Sequence, residues 1–462
     1  MKIFYIKYGM ILPAVAALLL SCSKEPQPEV RVEEVPEAEI LAMVPKNVPN
    51  TAFYKDIFLD GGCELNPGIK ENGKVINGRL PYALAKAGIR EAEYFLSTID
   101  DVGDGWVESD QAIQNSLIMG SNDDSNGVLL YPDGEPRFRM IYVFGGHSGP
   151  HGNTLGLTGR ANVNTFYRNG GSYVGSCAGA YLAGHFASGK TMTYFNIWRE
   201  GNMIGTGVGN SSIEMVMESD VFSSYFGPVK GTLVEDIRHN GGGFMDVNTA
   251  PAGTEIIARF RNERGKDSSK ARYYGQPSVW AYKESEYTGR MVVTGSHPED
   301  APSGPILDLT SSMMAYAWDG VGAAKVKGVL RRGDMIPETT GIGDLQCHHY
   351  VLYPGADIKS LKLSLWWSGD YDLELYLKRG SFAFPDADPE YSSTVPSGGR
   401  NELETGPLVK DLWYVTVRCA TTVESEEVIT DKTRNLGRHF VYSGKTGVLN
   451  GVPYSISADW KY

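Results

Sequence analysis

Apolar and polar positions fall into three patterns along the chain. A short apolar run occupies residues 10–20. From about residue 52, short apolar strands alternate with helical periods. Residues 52–59, 94–99 and 139–144 read as strands, and 80–87 as a helix capped by Gly88. Residues 162–169 read as a helix leading into Gly170-Gly171, a strand, and Gly175-Ser176-Cys177-Ala178-Gly179. Residues 190–275 show no clear period apart from a strand at 255–260. The polar run 261–270 reads as a loop, and 122–127 as a surface turn. Strands follow at 278–282 and 289–295, then a helix at 307–318. Alternating strands and helices predict a parallel α/β sheet, with sites beyond the C-terminal strand ends. Beyond about residue 325 the pattern is all-β, with strands at 361–367, 371–377, 412–417 and 454–460, which predicts a sandwich.

With 462 residues, 42% hydrophobic and 21% charged, the chain has the composition of two or three globular units. A net charge of −12 argues against a nucleic-acid partner. Lys2 and Lys7 before the apolar run make residues 1–21 a signal peptide. Leu19-Leu20-Ser21-Cys22 resembles a bacterial lipobox, which implies lipidation at Cys22 and a chain anchored to a membrane. Ser23-Lys24-Glu25 loosely resembles the export signals of some Bacteroidetes lipoproteins. The expected location is the cell envelope, lipid-anchored to the outer membrane and either periplasmic or surface-exposed. The Pro- and Glu-rich stretch 22–48 reads as a tether. Residues 49–325 then form the α/β domain and 326–462 the sandwich. An exported chain can form disulfides, and Cys347 with Cys419 is the best candidate pair among Cys63, Cys177, Cys347 and Cys419.

The strand–turn–helix at residues 170–184 has the layout of a nucleophile elbow with cysteine in the nucleophile position. A buried cysteine in an ordinary turn is the plain alternative. A thiol nucleophile needs a base and a group that orients the base. His297 and Glu299 are two apart around Pro298, and in an extended segment both would face one site. Candidate oxyanion donors are the N–H groups of Gly146 and Ala178. Gly145, His147 and Tyr181 are candidates for substrate contact. His151 lies in the same glycine-rich stretch, which reads equally as a flexible loop. Cys63 reads as a loop cysteine near the site rim. No metal and no cofactor is expected: the histidines lack partners at ligand spacing. Asp370 and Asp372 read as a polar turn rather than a Ca²⁺ site. His348 and His349 are adjacent on a strand and face opposite ways.

Gly175-Ser176-Cys177-Ala178-Gly179-Ala180 followed far downstream by Ser296-His297-Pro298-Glu299 resembles the class I glutamine amidotransferase-like superfamily. Over residues 50–320 the resemblance is nearest to the biotin-protein ligase N-terminal domain family, through the elbow, Asn240-Gly241-Gly242-Gly243-Phe244 and Tyr274-Gly275-Gln276-Pro277. It implies a three-layer, flavodoxin-like, mostly parallel sheet and a triad of Cys177, His297 and Glu299. Tyr181 stands where many glutaminases carry glutamine, and Ala178 where a PfpI-like peptidase carries histidine. Residues 328–462 resemble the bacterial pre-peptidase C-terminal domain, through segments such as Ser368-Gly369-Asp370-Tyr371-Asp372-Leu373. The expected activity is hydrolysis of an amide or peptide bond, on a small-molecule or peptide substrate, through an acyl-enzyme. An inactive binding module of the cell envelope and a glutaminase are the alternatives. The oligomeric state stays open.

Overall fold

The computed structural model describes residues 34–61, 69–71, 74–76, 80–96, 108–120, 126–188, 190–261, 272–395, 398–432 and 436–462. The signal peptide, Cys22, Cys63, most of the 122–127 turn and nearly all of the 261–270 loop lie outside these residues. Among the described residues, no helix is long and apolar enough to cross a membrane.

The α/β region is built on a nine-stranded sheet. Its strands are β1 (Lys55–Asp60), β2 (Ala92–Phe95), β3 (Phe138–Val143), β4 (Ser172–Ser176), β5 (Ser211–Met217), β6 (Leu233–His239), β7 (Thr254–Phe260), β8 (Pro277–Tyr282) and β9 (Met291–Thr294). They lie in the order β6-β5-β7-β8-β9-β4-β3-β1-β2. From β9 to β2 every neighbouring pair is parallel. Here the strands are buried on both faces, as runs such as Val292 and Val293, or Met140 and Ile141, require. From β9 to β6 every pair is antiparallel. Opposite Ile213 and Met215 the register shifts by an extra residue in β6, which breaks that strand's alternation and hides it in the residue pattern.

Helix Leu80–Ala87 ends at Gly88, φ +77°, as its sequence requires. Helix Gly304–Trp318 closes the domain and buries Leu309, Met313, Met314 and Ala317. Helix Gly156–Arg168 precedes the elbow, longer than its periodic stretch suggests. A separate helix, Ser148–Thr154, replaces the flexible loop weighed for the Gly-His-Ser-Gly-Pro-His-Gly stretch. Buried His151 anchors it, with Nε2 2.8 Å from Asp60 Oδ2 at the end of β1.

The C-terminal region is a sandwich of a five-stranded and a four-stranded sheet. Leu361, Leu363 and Leu365 of strand Ser360–Trp367 alternate inward against Ile456, and Leu373, Leu375 and Leu377 are buried in the facing sheet. Cys347 and Cys419 are free thiols, not a disulfide. Cys347 opposes Arg418 in the antiparallel ladder, so Cys419 points to the other face. Asp370 reaches Lys445 Nζ at 3.1 Å, and the Asp372 N–H donates to Thr421 Oγ1. The helix Glu37–Ala42, within the stretch that reads as tether, packs Ile40 against Val351, Phe382 and Tyr414 of the sandwich.

The two regions are joined by buried charge. Arg137 Nε and Nη2 donate to the two carboxylate oxygens of Asp344 at 3.0 and 2.9 Å. Arg137 Nη1 donates to Tyr442 Oη at 3.0 Å, on the hairpin of strands Val423–Asp431 and Leu436–Gly444. Tyr442 and Tyr54 both donate to Glu93 on β2. The same hairpin exchanges Leu96–Arg438 backbone hydrogen bonds just beyond β2. It covers the exposed edge of the large sheet, which would otherwise be open to strand pairing.

Candidate active site

Cys177 follows β4 directly and has φ +47° and ψ −102°, a backbone that L-residues other than glycine seldom adopt. Its N–H donates to Thr294 O at 2.9 Å, and its carbonyl accepts from Ala180 N and Tyr181 N at the start of helix Ala178–Ala183. Strain of this kind persists only where the surroundings over-determine it, and it clusters at functional positions. The glycines of the elbow answer a spatial demand. A Cβ on Gly179 would lie 2.1 Å from Val143 O, and one on Gly175 would lie 2.8 Å from the Gly179 carbonyl carbon. Gly179→Ala must therefore push the elbow off β3. We expect it to destabilise the fold by about 1–3 kcal/mol and to slow any reaction at Cys177, measured by thermal melting and by thiol alkylation.

His297 and Glu299 reach the same place from β9. They sit in a 3-10 turn, Pro298–Asp300, rather than in the extended segment their spacing suggests. The turn still pairs them, with His297 Nδ1 3.0 Å from Glu299 Oε1. Ser176 Oγ donates to the same carboxylate oxygen at 2.8 Å. A Cβ placed on Gly145 would lie 2.3 Å from His297 Cε1 and 3.3 Å from Cys177 Cβ. Gly145 is thus the gap through which imidazole and thiol meet. Burial pushes the His297 imidazole down, but the Glu299 carboxylate and the hydrogen bond to Cys177 outweigh it and hold His297 well above the usual histidine value. With Nδ1 committed to Glu299, Nε2 is the nitrogen left for the thiol.

The other predicted residues fall nearby with different surroundings. Ala178 opens the elbow helix, and Gly146 has φ +131° at the turn after β3. His147 precedes helix Ser148–Thr154, and its buried Nε2 lacks a partner among the described residues. Tyr181 packs on Phe186 and donates to Gly241 O at 3.2 Å.

The site is nearly closed. Cys177 is 5% exposed, His297 9% and Glu299 5%. The Asn240–Gly243 turn lies against it: Cys177 Sγ donates to Asn240 O at 3.5 Å. A Cβ on Gly242 would stand 1.6 Å from Gly295 O, so the turn packs backbone against backbone beside His297. Ser176, Asn240 and His239 were not singled out in the sequence as site residues. His239 ends β6 fully buried, with Nε2 2.8 Å from Thr206 Oγ1 and Nδ1 2.9 Å from Ser296 Oγ. Burial, and then the neighbouring His297, push His239 down to about 4. Burial, and then His348, push His349 in the sandwich down to about 3. Both lie below the unfolded value of about 6.5. They therefore add stability above that pH, and it is lost as pH falls toward 4. The free energy of unfolding, measured in urea, should drop between pH 7 and pH 4 by a total on the order of a few kcal/mol.

No family model matches the chain, and no curated protein matches it. Among solved structures, it is similar to a glutamine amidotransferase at 15% identity, over 39% of this chain and 80% of that one, with a TM-score of 0.27. A ThuA-like protein from Bacteroides uniformis is 11% identical over 60% of this chain and 95% of its own, TM-score 0.33. The pre-peptidase C-terminal domain of a collagenase from Bacillus anthracis is 12% identical over 29% of this chain and 99% of its own, TM-score 0.18. These likenesses are distant, and the chemistry of the site stands on its own residues.

Proposed function

We propose that the chain is an exported lipoprotein, anchored at Cys22 in the cell envelope, with a Cys177–His297–Glu299 site that hydrolyses amide or peptide bonds. The observation that carries the reading is the meeting at Gly145 of a strained, elbow-borne Cys177 with a histidine held above its usual pKa by a buried glutamate. Cys177 Sγ, as the thiolate left once its proton has passed to His297 Nε2, would attack the carbonyl carbon of a small-molecule or peptide substrate. The oxyanion would be met by the N–H groups of Gly146 and Ala178. Collapse would expel the amine, protonated by His297, and leave a thioester. Water, deprotonated by the same imidazole, would then release the acid. Gly145, His147 and Tyr181 would border the substrate. Glu299 would keep Nδ1–H oriented and stabilise the imidazolium.

A second reading has its own support. The Asn240 carbonyl beside Sγ and the low exposure of Cys177 fit a glutamine amidotransferase-like binding module that keeps the site closed. Glutamine hydrolysis is the third reading, and Tyr181 in the elbow helix weighs against it. The deciding experiment incubates the full chain with a panel of peptides, amides and glutamine, beside Cys177→Ala and His297→Ala. Hydrolysis of a panel member that both variants abolish supports the enzyme. Hydrolysis that survives Cys177→Ala, or none by the native chain, favours the binding module; ammonia from glutamine alone would mark a glutaminase.

A further inference from the structure

The donors and acceptors around His239 fix its tautomer. Thr206 Oγ1 lies 2.8 Å from Gly242 O and donates its single hydrogen there. Toward His239 Nε2 it can only accept, as it also does from Val208 N–H at 3.3 Å. Nε2 therefore carries the hydrogen. Nδ1 is left as an acceptor, and Ser296 Oγ donates to it. Each nitrogen of one buried imidazole thus holds a different part of the site. Ser296 is the residue before the base, and the His297 N–H donates to Arg238 O at 2.8 Å, beside His239. Thr206 holds Gly242 through its hydroxyl and its own N–H, at 2.8 and 3.0 Å. Gly242 belongs to the turn whose Asn240 carbonyl meets the Cys177 thiol and whose Gly241 carbonyl meets Tyr181.

We propose that His239 is a positioning residue for the Cys177–His297 pair, holding the base through Ser296 on one side and the turn over the thiol through Thr206 on the other. This rests on the hydrolase reading. The two arms separate chemically. His239→Asn keeps an acceptor near the Nδ1 position, and His239→Gln keeps a donor near the Nε2 position.

The test is the rate at which iodoacetamide modifies Cys177 in the full chain at pH 6 and pH 9, read by peptide mapping, with thermal melting alongside. His239→Gln and Ser296→Ala should slow modification at pH 6 roughly tenfold, the effect of misplacing the base by one pKa unit's worth of interaction. His239→Asn should restore the pH 6 rate relative to His239→Ala. Thr206→Val should instead raise the rate severalfold at both pH values, because the covering turn is released. If Ser296→Ala and His239→Gln modify like the native chain, whatever their melting temperatures, the positioning role is overturned while the hydrolase reading stands. If the native chain itself reacts no faster than His297→Ala, both fall. Should the His239 variants fail to fold, Ser296→Ala and Thr206→Val decide alone, since each removes one hydroxyl.

Discussion

Asp344→Ala should destabilise the protein by about 3–5 kcal/mol, the cost of leaving a buried cation unpaired. Arg137 is 1% exposed and Asp344 fully buried, joined by two parallel hydrogen bonds. Burial alone would push the Arg137 guanidinium down, and Asp344 holds it well above its usual range. Without that carboxylate, Arg137 keeps Tyr442 and the rings of Tyr54 and Tyr442 but loses its counter-charge close at hand. The pair spans the α/β region and the sandwich, so the loss should appear as a lower urea midpoint for both. Arg137→Met with Asp344→Leu should recover most of the loss, because buried ion pairs are often replaceable by packed apolar groups of similar volume. An Asp344→Ala variant as stable as the native chain would mean that the two regions are not held by this pair.

Glu299→Gln should lower the hydrolytic rate roughly a hundredfold to ten-thousandfold with little change in melting temperature. The amide is close in shape to the carboxylate and can still engage Ser176 Oγ and His297 Nδ1. It removes the negative charge that outweighs the burial of His297. The imidazolium should then lose its proton at lower pH, and the alkaline limb of the pH–rate profile should move down with it. Unchanged kinetics would leave Glu299 a structural hydrogen-bond partner only.

The parts of this site that were legible in the sequence are those written in local spacing. The glycines around Cys177, the strand before it and the His-Pro-Glu triplet each state a geometry within a few residues. Helix Leu80–Ala87 was legible for the same reason, with Gly88 supplying its C-cap. Strand β6 of the antiparallel half was not, because it has two successive exposed positions, Glu235 and Asp236, where alternation would demand one. Helix Ser148–Thr154 has no apolar period and is anchored by a His151–Asp60 contact across 91 residues. His239 was invisible because its partners lie 33 and 57 residues away. The free state of Cys347 and Cys419 depends on which face each occupies, and that follows from register, which composition does not carry.

If His297, held by Glu299, activates Cys177, the thiol itself should report it. The rate of Cys177 modification by iodoacetamide at pH 6, in the native chain and in His297→Ala, tests it most directly. A reaction at least roughly tenfold faster is expected in the native chain, as for a thiol paired with a protonated histidine. Equal rates in the two proteins would contradict it.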